Sequence, residues 1–159
     1  MDTNINAWIT GGIHEGCALL HVAARKGHAD CLKLLLEQKG IEVNCPNSEG
    51  MTPLHSAAQN GHCECIKLLL AHKDININAQ ITGTLYHNCT ALILAATKGY
   101  TECVKLLLSH KNIDLSLVYH HGYQPIHLAA QAGLVDMLKD ILKDATIDIN
   151  TMVTYWPWQ

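Results

Sequence analysis

The chain has 159 residues, of which 48% are apolar and 16% are charged, with a formal net charge of -3. This length and apolar content permit a packed core and argue against disorder. The low net charge and the scattered Lys and Arg residues indicate neither a phosphate-binding stripe nor a polybasic membrane surface. We therefore expect no nucleic acid and no membrane as partner.

The N-terminal residues 1–6 lack the basic start and the apolar run of a signal peptide. The longest apolar stretches, such as residues 66–71, are interrupted by Lys67 and are too short to cross a bilayer. We expect a cytoplasmic protein. The alternatives are the nucleus, or a host cell if the chain is a secreted effector.

One sequence pattern occurs four times along the chain, at spacings of 34, 38 and 34 residues. Each copy begins at a turn residue, continues into a short helix with Ala-Ala at its centre, and reaches a glycine that ends this helix. The turn residues are Gly16, Gly50, Asn88 and Gly122. The helix-ending glycines are Gly27, Gly61, Gly99 and Gly133. A period of about 33 residues is typical of a solenoid.

A second helix follows each of these glycines. It reads Cys-Leu-Lys-Leu-Leu-Leu at residues 31–36, has nearly the same sequence at 65–70 and 103–108, and becomes Met-Leu-Lys-Asp-Ile-Leu at 137–142. This helix is apolar on most sides, which predicts that adjacent repeats enclose it. An extended tail rich in Asp and Asn closes each copy.

The pattern resembles the ankyrin repeat family over essentially the whole chain. The resemblance is carried by Thr-Pro-Leu-His at residues 52–55, the spacing from Ala-Ala to Gly-His, the Lys-Leu-Leu-Leu helices and the polar tails. It implies an all-α solenoid of stacked antiparallel helix pairs with protruding β-turn fingers. The expected single array comprises a partial repeat or finger at 1–15, repeat 1 at 16–49, repeat 2 with a long following finger at 50–87, repeat 3 at 88–121, a cap-like repeat 4 at 122–150 and an aromatic tail at 151–159.

A longer period overlies the repeat, because residues 6–11 match residues 78–83 at an offset of 72, the sum of 34 and 38. The fingers should therefore alternate in length, with long ones at 7–16 and 79–88 and a third beginning at 150–154. The chain could be a complete small protein with a folded-back N-terminal cap, or a piece of a longer array. Trp156 and Trp158 should pack over the last helices, or else form an exposed tail that binds a partner.

His21, His55 and His127 occupy the position of the family's motif histidine. The resemblance implies a structural role, in which the imidazole bonds the turn backbone and the motif threonine. Only repeat 2 keeps both partners, Thr52 and His55. We therefore expect repeats 1, 3 and 4 to be weaker, by about 1 kcal/mol for each lost partner.

The nearest approach to a metal motif is His-Cys-Glu-Cys at residues 62–65. On a helix, a one-residue gap points Cys63 and Cys65 in different directions, whereas zinc sites usually separate paired cysteines by two to four residues. Cys31, Cys65 and Cys103 recur once per repeat, and helices packed roughly 10 Å apart would keep them from bridging or sharing a metal. The seven cysteines are therefore expected to be reduced, buried thiols.

Catalysis has no sequence signature in this chain. A nucleophile elbow, a phosphate loop and a His-Glu-x-x-His pattern are all absent from the sequence. Cys and His residues that recur in phase are explained by stacking of the repeats. We expect no catalytic residue, no metal, no cofactor and no small-molecule substrate.

The resemblance implies that a protein partner binds the finger tips and the concave face of the first helices. The repeat leaves free the two positions before the turn residue, the one after it, and the two before the helix-ending glycine. We expect partner contacts at Ser48, Glu49, Met51, Gln59, Asn60, Tyr86, His87, Cys89, Thr97, Lys98, His120, His121, Tyr123 and Gln131. The same positions in repeat 1 are His14, Glu15, Cys17, Arg25 and Lys26. Tyrosine is enriched at interface hot spots, so we expect this surface to centre on the fingers of repeats 3 and 4.

The sequence therefore predicts a non-enzymatic protein–protein interaction module with an adaptor, inhibitor or targeting role. It could instead be the repeat region of a larger multidomain protein, or a bacterial or parasite effector acting on a host protein. A structural spacer is a further alternative. Asn44 and Asn150 resemble the finger asparagines that are hydroxylated in some ankyrin proteins.

Overall fold

A computed structural model describes the backbone of Trp8–Ile9 and Cys17–Ala18, and residues 19–144 and 147–150 in full. Strand β1 (Trp8–Ile9) pairs antiparallel with strand β2 (Cys17–Ala18). Eight α-helices occupy the described ranges. They are α1 Leu19–Lys26, α2 Ala29–Leu36, α3 Pro53–Gln59, α4 Cys63–Leu70, α5 Ala91–Thr97, α6 Thr101–Leu108, α7 Pro125–Gln131 and α8 Val135–Ile141.

The helices form the all-α stack of antiparallel pairs that the sequence predicts. First helices pack on first helices (α1, α3, α5 and α7), and second helices pack on second helices (α2, α4, α6 and α8). None of the helices in the described ranges is long and apolar enough to cross a membrane. The expected finger start at 150–154, the tail residues Trp156 and Trp158, and positions His14 and Glu15 lie outside the described residues, apart from Asn150.

The core is deepest in the two middle repeats. Helices α3 and α5 each bury six residues, whereas α7 buries three and α8 two. Small side chains make this possible, because Ala57, Ala58 and Ala95 are fully buried where the helices approach one another. The second helices are less enclosed than the sequence predicts, since Leu34 is 62% exposed.

The fingers close at their bases by backbone pairs that reproduce the two predicted lengths. In the short fingers 2 (residues 45–50) and 4 (residues 117–122), the paired residues are four apart: Asn47 with Met51 and Tyr119 with Tyr123. In the long finger 3 (residues 79–88), Ile81 pairs with Cys89, eight residues later. The N-terminal strands pair Ile9 with Cys17, the same pairing 72 residues earlier.

Buried histidines tie each of the first two repeats to the next finger, an arrangement we call the histidine tie. His55 Nδ1 accepts a hydrogen bond from the Thr52 N–H at 3.0 Å, so Nε2 carries the proton and donates it to the Ala79 carbonyl at 2.9 Å. His21 Nε2 likewise donates to the Met51 carbonyl at 2.8 Å. The threonine partner follows the expectation, but the backbone acceptor belongs to the following finger. Repeat 3 has no histidine tie, because Ile93 stands at this position.

Asparagine side chains also connect repeat 1 to repeat 2 (the first junction) and repeat 2 to repeat 3 (the second junction). These contacts lie near the ends of the second helices, and we call this arrangement the asparagine tie. Asn44 Nδ2 donates to the Asp74 carbonyl at 2.6 Å, and its Oδ1 accepts from the Asn76 N–H at 2.8 Å. Asn78 makes the equivalent pair of bonds to Asn112 and Asp114. In repeat 3 the position is Ser116, whose N–H and hydroxyl both bond Asp114 within the same tail.

The expectation that all seven cysteines are reduced is wrong for two of them. Cys63 and Cys103 form a disulfide with their Cα atoms 5.1 Å apart. The cysteines that recur at the same level of successive second helices are Cys31, Cys65 and Cys103, whereas this bond runs diagonally, from the first residue of α4 to the third residue of α6. Cys31, Cys45, Cys65 and Cys89 are free thiols.

The disulfide predicts a redox-dependent stability. For the 40-residue separation between Cys63 and Cys103, chain-entropy arguments give about 4 kcal/mol. We expect reduction, or Cys63→Ser, to lower the free energy of urea unfolding by up to this amount. Thiol titration of the denatured oxidised protein should give five thiols, which is seven minus the two in the bond. Seven thiols would contradict the pairing, and Cys31→Ser is the matched control.

The buried His55 predicts that acid destabilises the fold. Burial lowers the pKa of His55 from its usual 6.5 to about 4, and burial also lowers the pKa of His21. Below pH 6.5 the unfolded chain therefore takes up protons that the folded chain refuses until about pH 4. From His55 alone we expect the free energy of unfolding to fall by about 2 kcal/mol between pH 7 and pH 5.

Urea unfolding at the two pH values measures this loss. His55→Gln should be less stable at pH 7 and should have a pH dependence shallower by the same amount. The exposed His28→Gln is the control and should keep the full dependence. Equal slopes in the two variants would show that His55 does not carry the effect.

Candidate partner-binding surface

Fingers 2, 3 and 4 are joined side by side by hydrogen bonds. The Gly83 N–H donates to the Glu49 carbonyl at 2.9 Å, and a side chain at Gly83 would collide with that carbonyl. Gln80 Nε2 donates to the Val118 carbonyl of finger 4 at 2.9 Å. The fingers therefore present one connected edge.

The tip of finger 3 carries an exposed apolar side chain that the sequence analysis missed. Leu85 is 80% exposed, the largest value among the exposed large apolar residues of the described chain. Its neighbour His87 is also exposed, while Tyr86 is half-buried and packs against the core. Leu85 lies in the extra length of the long finger, where no framework position exists for comparison. An apolar residue inside that insertion was the available signal.

Finger 4 groups its aromatic side chains as the sequence suggests. The rings of His120 and His121 lie 3.8 Å apart and both side chains are exposed. Tyr123 is half-buried, with its ring centroid 5.8 Å from those of Tyr119 and His127. Burial raises the pKa of Tyr119 to about 12, so its hydroxyl stays neutral at physiological pH.

The first helices contribute a small groove beside finger 2. It has a volume of about 130 Å³ and is lined in part by Arg25, Asn47, Met51 and Gln59. Three further expected residues are exposed but hold structural bonds: Asn60 Nδ2 donates to Ser56 O at 2.8 Å, Thr97 Oγ1 to Ile93 O at 2.7 Å, and Glu49 O accepts from Gly83. The expected residues Ser48, Lys98 and Gln131 are exposed.

Two expected contact residues are corrected by their burial. Met51 is 7% exposed and Cys89 is 8% exposed. Each residue follows the turn residue and belongs to the backbone pair that closes the base of its finger. This position turns the side chain toward the core. Met51 reaches the surface only in the wall of the groove, and Cys89 offers a partner almost nothing.

Comparison with known families agrees with this architecture. The family model described as Ankyrin repeats (3 copies) matches residues 2–81 and 80–153 of the chain. The chain belongs to the ankyrin repeat family. Ankyrin repeats are generally protein–protein interaction modules, and the family is typically non-enzymatic. No curated protein matches the sequence of this ankyrin chain.

The cysteines of this ankyrin array have structural surroundings. Burial raises the pKa of the Cys45 and Cys89 thiols to about 11, so neither is a thiolate nucleophile at neutral pH. Cys63 of the His-Cys-Glu-Cys segment is bonded to Cys103. Among the described residues, no group of three or more His, Cys, Asp or Glu side chains is placed to hold a metal ion.

Proposed function

We propose that this ankyrin protein binds a protein partner along the edge of fingers 2–4 and the adjoining face of the first helices. The exposed Leu85 carries the proposal. A leucine side chain held in water contributes nothing to the fold, whereas burial in a partner would stabilise the complex by about 1.5–3 kcal/mol. Contiguous exposed apolar patches rimmed by polar residues mark protein interaction sites, and Val118 on finger 4 is a second exposed apolar side chain.

The hydrogen bonds that finger 3 makes to both neighbouring fingers support a preorganised display of this leucine. Finger 3 is bonded to Glu49 on one side and to Val118 on the other. Val118 is itself 45% exposed, so a second apolar side chain lies on the finger bonded to finger 3. A partner that binds such a surface pays little ordering entropy, which favours affinity without large buried area.

The partner surface proposed here is an apolar depression with a polar rim. The exposed side chains around Leu85 and Val118 are His87, His120 and His121, and the groove beside finger 2 adds Arg25 and Gln59. We propose an adaptor, inhibitor or targeting role in the cytoplasm, where the Cys63–Cys103 pair would be held largely as thiols.

Affinity capture with matched leucine variants tests the proposal. Leu85→Ser removes the apolar tip, and Leu34→Ser makes the same change on α2, where Leu34 is 62% exposed. The parent chain and the Leu34→Ser control should enrich the same protein, identified by mass spectrometry, and Leu85→Ser should lose it. Tyr86→Ala combined with Tyr123→Ala should also weaken the capture.

Titration of the identified protein then gives the magnitude. Loss of a hot-spot side chain costs 2 kcal/mol or more, which corresponds to an affinity about 30-fold lower. Unchanged affinity for Leu85→Ser, with the helical signal of the free variant intact, would rule out finger 3 as the contact surface.

A further inference from the structure

Aromatic rings cover the helix-ending glycines at the first two repeat junctions, an arrangement we call the ring tie. Each ring belongs to the next repeat, where it is the residue after that repeat's own helix-ending glycine: His62 in repeat 2 and Tyr100 in repeat 3. The His62 ring lies over Gly27, and its Nε2 donates to the Arg25 carbonyl at 2.9 Å. The Tyr100 ring lies over Gly61, where an added Cβ would be 2.9 Å from two ring atoms.

The third junction, between repeats 3 and 4, has an open cleft beside its helix-ending glycine, Gly99. Leu134 stands where a ring would be, and a Cβ at Gly99 would meet no atom within 4 Å. The cleft has a volume of about 250 Å³ and is lined by residues of repeats 3 and 4, including Gly99, Val104, Leu134, Val135 and Met137. An apolar cavity of about 150 Å³ suffices to bind benzene, so an aromatic side chain fits.

The cleft also lies at the junction that lacks the other ties. Ile93 replaces the histidine tie and Ser116 replaces the asparagine tie, while Val135 on the rim is 59% exposed. Lys105 and Asp136 form an exposed ion pair at 3.9 Å across this junction, which contributes at most about 1 kcal/mol. A ring bound in the cleft would therefore add the contact that the other junctions already have.

We propose that the indole ring of Trp156 or Trp158, from the chain's own segment 151–159, binds in this cleft and acts as the ring tie of the third junction. The segment lies outside the described residues, and its sequence Tyr-Trp-Pro-Trp at 155–158 supplies aromatic rings. The internal examples at Gly27 and Gly61 show the kind of side chain that this position accepts.

The length of the segment allows this contact. Asn150 follows α8 as Asn78 follows α4 and so lies beyond the C-terminal end of α8, whereas the cleft lies at the N-terminal ends of α6 and α8. The distance to cover is about one helix of seven residues, or roughly 10 Å. The six residues from Asn150 to Trp156 reach about 20 Å when extended.

Tryptophan fluorescence in a Trp8→Phe background tests this proposal, because only Trp156 and Trp158 then remain. Leu134→Tyr restores the internal ring and should displace the indole. We expect the parent to show a blue-shifted emission and slow acrylamide quenching, and Leu134→Tyr to lose both. Leu34→Tyr is the matched control, with the same change at an exposed leucine of repeat 1, and should keep both.

Further variants make the outcome decisive. Val135→Glu places a charge at the rim from an exposed position and should also release the indole if Leu134→Tyr does not fold. Trp156→Phe and Trp158→Phe identify the residue that binds. Equal quenching in parent, Leu134→Tyr and Val135→Glu would overturn the proposal. A blue shift that disappears on dilution would also overturn it, because the ring would then come from a second copy of the chain.

Discussion

The His55 side chain joins a helix start to the next repeat, and the stack depends on such contacts. Its Nδ1 accepts from the Thr52 N–H and its Nε2 donates to the Ala79 carbonyl, so one neutral imidazole orders a turn and a neighbouring finger. Each repeat of a solenoid contacts only its neighbours, so stability is approximately a sum over repeats and junctions. A polar group that crosses a junction therefore acts on both repeats.

The junctions of this chain differ in the number of such contacts. The first and second each have a histidine tie, an asparagine tie and a ring tie, and the Cys63–Cys103 bond adds a covalent link to the second. At the third junction Ile93, Ser116 and Leu134 stand at the three positions. Fingers 2 and 3 are therefore each held by several contacts, whereas repeat 4 is joined to repeat 3 by apolar packing, the Gln80–Val118 hydrogen bond and the exposed Lys105–Asp136 ion pair.

The sequence predicted the features that recur with the repeat. It missed the disulfide, which joins different repeat positions, and Leu85, which lies in an insertion. The 72-residue offset predicted two finger lengths, and Ile81–Cys89 and Ile9–Cys17 pair accordingly. The disulfide escaped because repeat alignment compares equal positions, whereas Cys63 and Cys103 are two positions apart in register. Leu85 escaped because it lies in an insertion. The partners of Asn44 and Asn78 could not be read from one repeat, since their bonds exist only after stacking.

Native-state hydrogen exchange compares the stability of repeat 4 with that of the middle repeats directly, because local opening reports the stability of each cooperative unit. The missing ties at the third junction predict that the amides of α7 and α8 exchange together and well before those of α3 to α6. The slowest amides should lie in α3 and α5, on both sides of the His55 contact. Equal protection in α7 and α8 and in α3 to α6 would show that the three ties do not set the stability of the stack, since repeat 4 would then be as stable as the repeats that carry all three.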